Sequence, residues 1–287
     1  MKLAISIHAD EQLAQVAIPL LQEGLVDALE WSPETAWGTQ GVPQNIEKIL
    51  EDFSARGELY GHGVSYSTMT VESDFAHHER WLDRMQVEAR KRKFRHFSEH
   101  FGFMIAGNYF RGAPLPLPLT AAAVKIGQRR LFELRDVVNC PVGLENLALS
   151  FSRREALSQG LFLAELLKPV DGFLVLDIHN LYCQCHNFDL TWNELLSTWS
   201  LGLVREIHVS GGSWSTHEQN RVRRDTHDSE VPDEIWAILP HILDLCSECE
   251  IVTFEQLGTS LVLDNARQRM RRDVEKLAEI VKTRAHG

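Results

Sequence analysis

Residues 173–180 read Phe-Leu-Val-Leu-Asp-Ile-His-Asn. An apolar run of this length is too short for a free-standing helix and long enough to cross a sheet once. It lies between two stretches with helical spacing, Arg153–Lys168 before it and Thr191–Trp199 after it. A buried strand framed by helices is the repeating unit of a parallel α/β fold. Working outward, the same alternation runs from end to end. The strands expected are Lys2–His8, Ala28–Ser32, Leu59–Tyr66, His96–Phe103, Val142–Leu147, Phe173–Asn180, Val204–Ser210 and Ile251–Gln256. The helices expected are Glu11–Leu25, Asn45–Arg56, Phe75–Lys93, Thr120–Val138, Arg153–Lys168, Thr191–Trp199, Pro232–Cys246 and Leu261–Val281. In the first helix Leu13, Val16, Ala17, Leu20 and Leu21 recur at three- and four-residue steps, with Gly24 near its end. Asp189 or Thr191 suits the cap of the sixth, and Pro232 the first turn of the seventh.

Eight strand–helix units that close on themselves leave no sheet edge exposed, so the expected fold is one (β/α)8 TIM barrel of the xylose-isomerase-like kind, spanning 1–287 as a single domain. Leu115-Pro116-Leu117-Pro118 is the clearest irregular loop, after the fourth strand.

Composition narrows the function. The chain has 287 residues, 44% hydrophobic and 24% charged, which excludes disorder. Lys and Arg number 29 against 40 acids, a net charge of −11 that lacks the positive field nucleic acid requires. The basic tracts Arg90–Lys93 and Arg267–Arg272 fall in helical segments and read as solvated faces. No apolar run reaches the roughly 18 residues that a membrane span needs, so no membrane partner is expected. Residues 1–8 reach His8 and then Asp10 too early for a signal peptide. Five cysteines without such a signal point to reduced thiols in the cytoplasm, and Cys246-Ser-Glu-Cys249 reads as helix packing.

The active site of such a barrel lies at the C-terminal ends of its strands. Here those ends are polar: Gly61-His62-Gly63, Ser98-Glu99-His100, Leu144-Glu145-Asn146, Asp177-Ile178-His179-Asn180, Glu206-Ile207-His208 and Phe254-Glu255-Gln256. Asp225-Thr226-His227-Asp228 adds more from the long loop after the seventh strand. Burying several carboxylates in one volume without cations would cost several kcal/mol each. The strand ends bring no matching lysines or arginines, so metal ions are the economical counter-charge, and the donors exceed what one ion uses. Two or three ions are expected. Mixed imidazole and carboxylate without thiolate suits iron, zinc or manganese. His77 and His78 read as an exposed helix face, and His217 and His286 as loop and tail residues. His8 ends the first strand and could face the site; His186 follows the sixth strand closely.

These motifs resemble a known family. Gly61-His62-Gly63-Val64-Ser65 is similar to the HGVxLS element of the DUF692 family of multinuclear non-heme iron-dependent oxidative enzymes, typified by the methanobactin-biosynthesis oxidase. Ser98-Glu99-His100 resembles its SEH, Leu144-Glu145-Asn146 its LEN, Leu176–Asn180 its LDVNN, and Ile207–Gly211 its IHLAG. Asp225–Pro232 resembles DTHxxxVP, and Thr253-Phe254-Glu255 stands where the family has (L/I)IE. The resemblance runs in order from Gly61 to Glu255. It implies a TIM barrel with iron at His62, His100, Glu145, Asp177, His208, Asp225, His227 and Glu255, and catalysis resting on Glu145, Asp177 and His208. Asn146, His179 and Asn180 are implied as outer residues or further ligands. It further implies two or three irons in a mixed Fe(II)/Fe(III) state, O2 as co-substrate, a ribosomally made precursor peptide modified at a side chain, most often cysteine, and a partner protein that binds its leader. Two positions depart from the pattern. His179 stands for the first Asn of LDVNN, and Gly212 for the histidine that ends IHLAGH.

A metal-dependent hydrolase or isomerase of the endonuclease IV or xylose isomerase type is the alternative on the same scaffold. A zinc nuclease needs a basic groove, against the charge of −11, and sugar isomerases need a lysine that no strand end here provides. A non-catalytic metal store is a third reading.

Overall fold

A computed structural model describes residues 1–38, 41–71, 75–106, 109–216 and 221–285. His217 and His286 lie outside these described residues. Eight parallel strands close into a barrel: β1 (Lys2–Ile7), β2 (Ala28–Trp31), β3 (Leu59–Gly63), β4 (Phe97–His100), β7 (Val142–Glu145), β8 (Phe173–Asp177), β9 (Val204–Val209) and β10 (Ile251–Phe254). They neighbour one another in chain order, and β1 pairs with β10 to seal the ring, Lys2 opposite Ile251 and Ile5 opposite Phe254. β5 (Phe103–Ala106) and β6 (Tyr109–Leu115) form a separate antiparallel pair after β4. The helices are α1 (Glu11–Gln22), α2 (Gln44–Arg56), α3 (Phe75–Lys91), α4 (Ala121–Val138), α5 (Arg153–Leu167), α6 (Ile178–Phe188), α7 (Trp192–Leu196), α8 (Asp233–Leu245) and α9 (Asp264–Ala285).

Strand periodicity sorts the side chains. Leu3, Ile5, Ile7, Leu29, Trp31, Leu174, Leu176, Ile207, Val209, Val252 and Phe254 join the main apolar core with the helices. Their neighbours in sequence point into the barrel, where Ala4, Ala28, Tyr60 and Ile251 make a small apolar plug at the N-terminal end. Above that plug the interior turns polar: Ser6, Glu30, His62, Ser98, Glu206, His208 and Thr253 are all buried. An interior of this composition is not what stability selects, and it positions the site.

The expected TIM barrel and all eight strands are present, and several expectations about local structure are corrected. The sixth strand ends at Asp177, not Asn180, and α6 starts at the next residue. The Asp177 carboxylate caps that helix, accepting from Asn180 N at 2.5 Å. Helical periodicity was hidden because Ile178 through Gln184 are buried on every side. Similarly, β3 stops at Gly63 and β4 at His100, and Phe103 opens the hairpin. His78 is buried against Tyr66, its ring edge-on at 5.3 Å, and His77 is half-buried with Nε2 2.8 Å from Ser65 O; neither is a solvated helix residue. Arg92 is buried too, ion-paired with Glu47 and Glu88. Thr191 caps α7 in a capping box with Glu194, while Asp189 ends α6. Leu115 closes β6, so the irregular segment begins at Pro116. All five cysteines are free thiols, Cys246 and Cys249 both buried. Among the described residues no helix is long and apolar enough to cross a membrane.

Candidate metal centre

Glu145, the last residue of β7, is the hub. Its Oε2 lies 3.2 Å from His62 Nε2 (β3), 3.3 Å from His100 Nε2 (β4) and 4.0 Å from His208 Nδ1 (β9). His208 Nδ1 is also 3.2 Å from Glu255 Oε2, just beyond β10, and that oxygen is 3.8 Å from His227 Nδ1. His227 Nε2 in turn lies 2.7 Å from Asp225 Oδ1. His227 adopts a left-handed backbone with φ 47°, which folds the loop back so that its ring meets the carboxylate two residues earlier. The sets His62–His100–Glu145, Glu145–Asp177–His208 and Asp177–His227–Glu255 each bring one donor atom per residue within 4.8 Å of one another. All eight residues singled out in the sequence therefore meet at one mouth, and Asp225 joins through His227.

Glu145 and Asp177 are each held by one oxygen. Asn180 Nδ2 donates to Glu145 Oε1 at 3.1 Å, and Asn180 N donates to Asp177 Oδ1. Among the described residues, Glu145 Oε2, Asp177 Oδ2, Glu255 Oε2, His62 Nε2 and His208 Nδ1 are buried with no hydrogen bond. Five orphaned donor atoms in one place would be costly unless a cation satisfies them. The residues present fit a metal centre on that ground. Asn146 is not aimed at this space. Its Oδ1 accepts from Asp177 N at 2.7 Å and its Nδ2 donates to Asp177 O at 3.0 Å, which fixes the β8–α6 junction.

Imidazole tautomers are set from outside the cluster. Ser98 Oγ donates to Gly61 O and so accepts from His62 Nδ1 at 2.8 Å, leaving Nε2 as the lone-pair nitrogen. His208 Nε2 faces Glu30 Oε2 at 3.2 Å and Glu206 Oε1 at 3.5 Å, so its proton belongs there and Nδ1 faces the hub. Glu30 was not singled out in the sequence, and Glu206 was quoted at a strand end but given no role. Glu206 was discoverable, since it lies two residues before His208 on the same face of β9. Glu30 sits mid-strand between Leu29 and Trp31, and only closure of the barrel brings it beneath His208.

Electrostatics follow from crowding acids and imidazoles into one buried space. Burial pushes Glu145 up to about 8 despite the nearby His208, and burial with Asp225 and Glu145 raises Asp177 well above its usual range. Burial also opposes the charging of His208, yet Glu255 and Glu30 raise it well above the usual imidazole value; Asp225 and Glu255 overcome burial to raise His227. Burial, reinforced by His62, lowers His100 to about 3. The cluster thus holds protons where a cation would sit.

The mouth opens into a cavity of about 480 Å³. His8 lines it and is held neutral, its pKa lowered to about 4 chiefly by burial, so the first strand does face the site. Val64, Ala148, Leu149 and Leu257 form an apolar wall. Arg224 lines it as well, and Arg223 Nη2 lies 3.3 Å from His179 Nε2. These arginines enter on the loop after β9, where a survey of strand ends does not look. His186 packs instead between Tyr182 and Trp214, with ring centroids at 4.4 and 5.3 Å. Glu99 faces the other side of β4, buried against Gly63, where a Cβ would lie 1.8 Å from Glu99 Oε2.

Among solved structures, the chain resembles the IOLI protein with a bound zinc atom (TM-score 0.58, 12% identity, 99% of each chain covered). It also resembles D-psicose 3-epimerase from Clostridium cellulolyticum H10 (TM-score 0.59, 12% identity, 98% of this chain and 99% of that one). At such identity these likenesses establish the xylose-isomerase-like TIM barrel alone. In sequence it is 26% identical to a UPF0276 protein of Acinetobacter baylyi over 249 residues, 82% of this chain and 81% of that one. It is 30% identical to a UPF0276 protein of Caulobacter vibrioides over 217 residues, covering 75% and 73%. The model of the family described as RiPP precursor modification enzyme MbnB/TglH/ChrH matches residues 11–279. With the donor cluster and the barrel in place, that match over nearly the whole chain makes this protein a member of the MbnB/TglH/ChrH family of RiPP precursor modification enzymes.

Proposed function

We propose that the protein is a multinuclear non-heme iron-dependent oxidative enzyme that uses O2 to modify a cysteine side chain of a ribosomally made precursor peptide, delivered by a leader-binding partner. Two or three irons would be held by His62, His100, Glu145, Asp177, His208, Asp225, His227 and Glu255. The observation that carries this reading is the set of five buried donor atoms left without hydrogen bonds around Glu145. Bound iron would supply Lewis acidity toward a thiolate and one-electron chemistry with O2.

The protein's own groups prepare that chemistry. Asn180 holds Glu145 Oε1 and Asn146 holds the Asp177 backbone, so both carboxylates present their second oxygen without reorganising. Ser98 and Glu30 hold His62 and His208 with one lone pair inward. The cavity of about 480 Å³ admits a side chain and a short length of backbone, and its apolar wall keeps bulk water off the reacting group. His8, neutral at physiological pH, adds a proton acceptor at the rim.

Anaerobic purification, metal analysis and Mössbauer spectroscopy test the proposal. Mixed-valent iron and O2-dependent conversion of a cysteine-containing precursor peptide encoded beside the gene are expected. Glu145→Ala and His208→Ala should abolish both together. Unchanged iron content and product yield in those variants would refute the assignment, and zinc with no O2 consumption would favour the hydrolase or isomerase alternative.

A further inference from the structure

His179 is the second residue of α6 and fully buried, beside the mouth but outside the orphaned donor set. Its two ring nitrogens have different neighbours. Nδ1 lies 3.4 Å from Asp225 Oδ1, and Nε2 lies 3.3 Å from Arg223 Nη2. A guanidinium has five N–H donors, no acceptor, and stays charged at any accessible pH. Nε2 must therefore accept, its lone pair is occupied, and the ring proton sits on Nδ1. That N–H points at Asp225, with Cys183 Sγ a weaker neighbour at 3.9 Å.

Arg223 is built into this place. Its backbone N donates to Asn187 Oδ1 at 2.8 Å and its carbonyl accepts from Asn187 Nδ2 at 2.9 Å. Its guanidinium carbon stands 5.2 Å from the Tyr182 ring centre and 5.6 Å from that of Trp214. Tyr182 and Asn187 belong to the same helix as His179, so α6 positions both the ring and the cation that fixes its tautomer.

Gly212 completes the arrangement. A Cβ there would lie 2.7 Å from His179 Cε1, 2.3 Å from Arg224 O and 3.0 Å from Thr226 N. Only glycine lets the imidazole and the 224–226 backbone approach together. The two departures from the family pattern are thus one spatial exchange: the ring carried by α6 uses room that a side chain at 212 would need. An asparagine at 179 would place its amide nitrogen where Nδ1 now sits, and an amide needs no partner to choose its proton.

We propose that His179 is a positioning residue for Asp225, not a metal ligand: Arg223 locks the ring as the Nδ1–H tautomer, and that N–H joins His227 Nε2, 2.7 Å away, in holding Oδ1, which leaves Oδ2 of Asp225 for the metal. The inference rests on the metal-centre reading for what Asp225 does, and on geometry alone for the tautomer.

The test uses the full chain with imidazole-15N labelling, metal-free and loaded with Zn(II) as a diamagnetic probe. An Nδ1–H signature for His179 in both states is expected. Chelator competition should show Zn(II) affinity unchanged in His179→Asn and lowered by about 10–100-fold in His179→Gln, whose amide falls at the Nε2 place. Arg223→Met should release the tautomer and give a mixed signature. Thermal melting of each variant separates misfolding from loss of affinity. An Nε2–H or metal-bound His179 signature, or affinity kept by Gln and lost by Asn, would overturn the proposal. If the wild-type chain takes up no zinc, the metal-centre reading falls, and the metal-free tautomer still decides whether Arg223 and Asp225 hold His179 as argued.

Discussion

The floor and the mouth of the barrel are made from the same two residue types, and their central carboxylates, Glu206 and Glu145, are shifted in opposite directions. In the floor, Glu206 accepts from His96 Nε2 at 2.7 Å and from Thr253 Oγ1 at 2.5 Å, and lies 3.5 Å from His208 Nε2. Burial opposes its ionisation, but His96 and His208 hold it well below the usual carboxylate range. One layer up, Glu145 has three imidazole nitrogens within 4.0 Å and is still pushed up to about 8. The floor closes its charges with protons inside the protein. The mouth leaves its donor atoms facing one another, an arrangement that makes sense when a metal ion comes between them.

That contrast can be broken first at the hub. Glu145→Ala should remove the bound metal entirely, measured as metal per chain after desalting, while Glu206→Ala should leave metal bound. The floor substitution should instead cost about 3–5 kcal/mol of stability, because His96 is left buried without its partner; urea unfolding of the metal-free chain reads this. Equal metal loss in both variants would erase the distinction between the layers.

Smaller effects sharpen it. Glu30→Gln and Ser98→Ala should each weaken metal affinity by about 10–100-fold without abolishing it, since each loosens the outer hold on one imidazole. Chelator competition is the measurement, and loss of all metal would move either residue into the ligand set. The mildest effect concerns pH. A proton on Glu145 must leave before a metal can use Oε2, and Asp177, His208 and His227 are raised as well, so apparent affinity should climb by at least about tenfold per pH unit between pH 6.5 and 8. A flat profile from pH 6.5 to 8 would show that Glu145 is not where the proton is held.

Much of this was legible in the residues. Alternating apolar strands and helix-spaced segments specify a barrel, and polar strand ends mark its mouth, because few arrangements bury Glu145, Asp177 and His208 together without a purpose. Legibility failed where burial is uniform or where distant segments meet. No periodicity distinguishes Ile178–Gln184 as a helix when every residue is buried. His78 looks like a helix-surface residue until Tyr66 packs on it. Glu30 reads as an isolated acid in a strand until ring closure sets it under His208, 178 positions away in sequence.

The chain's residue pattern determined by itself the (β/α)8 architecture and the crowding of acids and histidines at the strand ends, because strand period and segment order suffice for both; which eight form the set came from the motif resemblance. Tertiary structure alone decided which atom of each points inward. The partners that hold one oxygen of Glu145, one face of His62 and both nitrogens of His179 come from other strands, helices and loops, and only three-dimensional closure brings them within hydrogen-bonding distance.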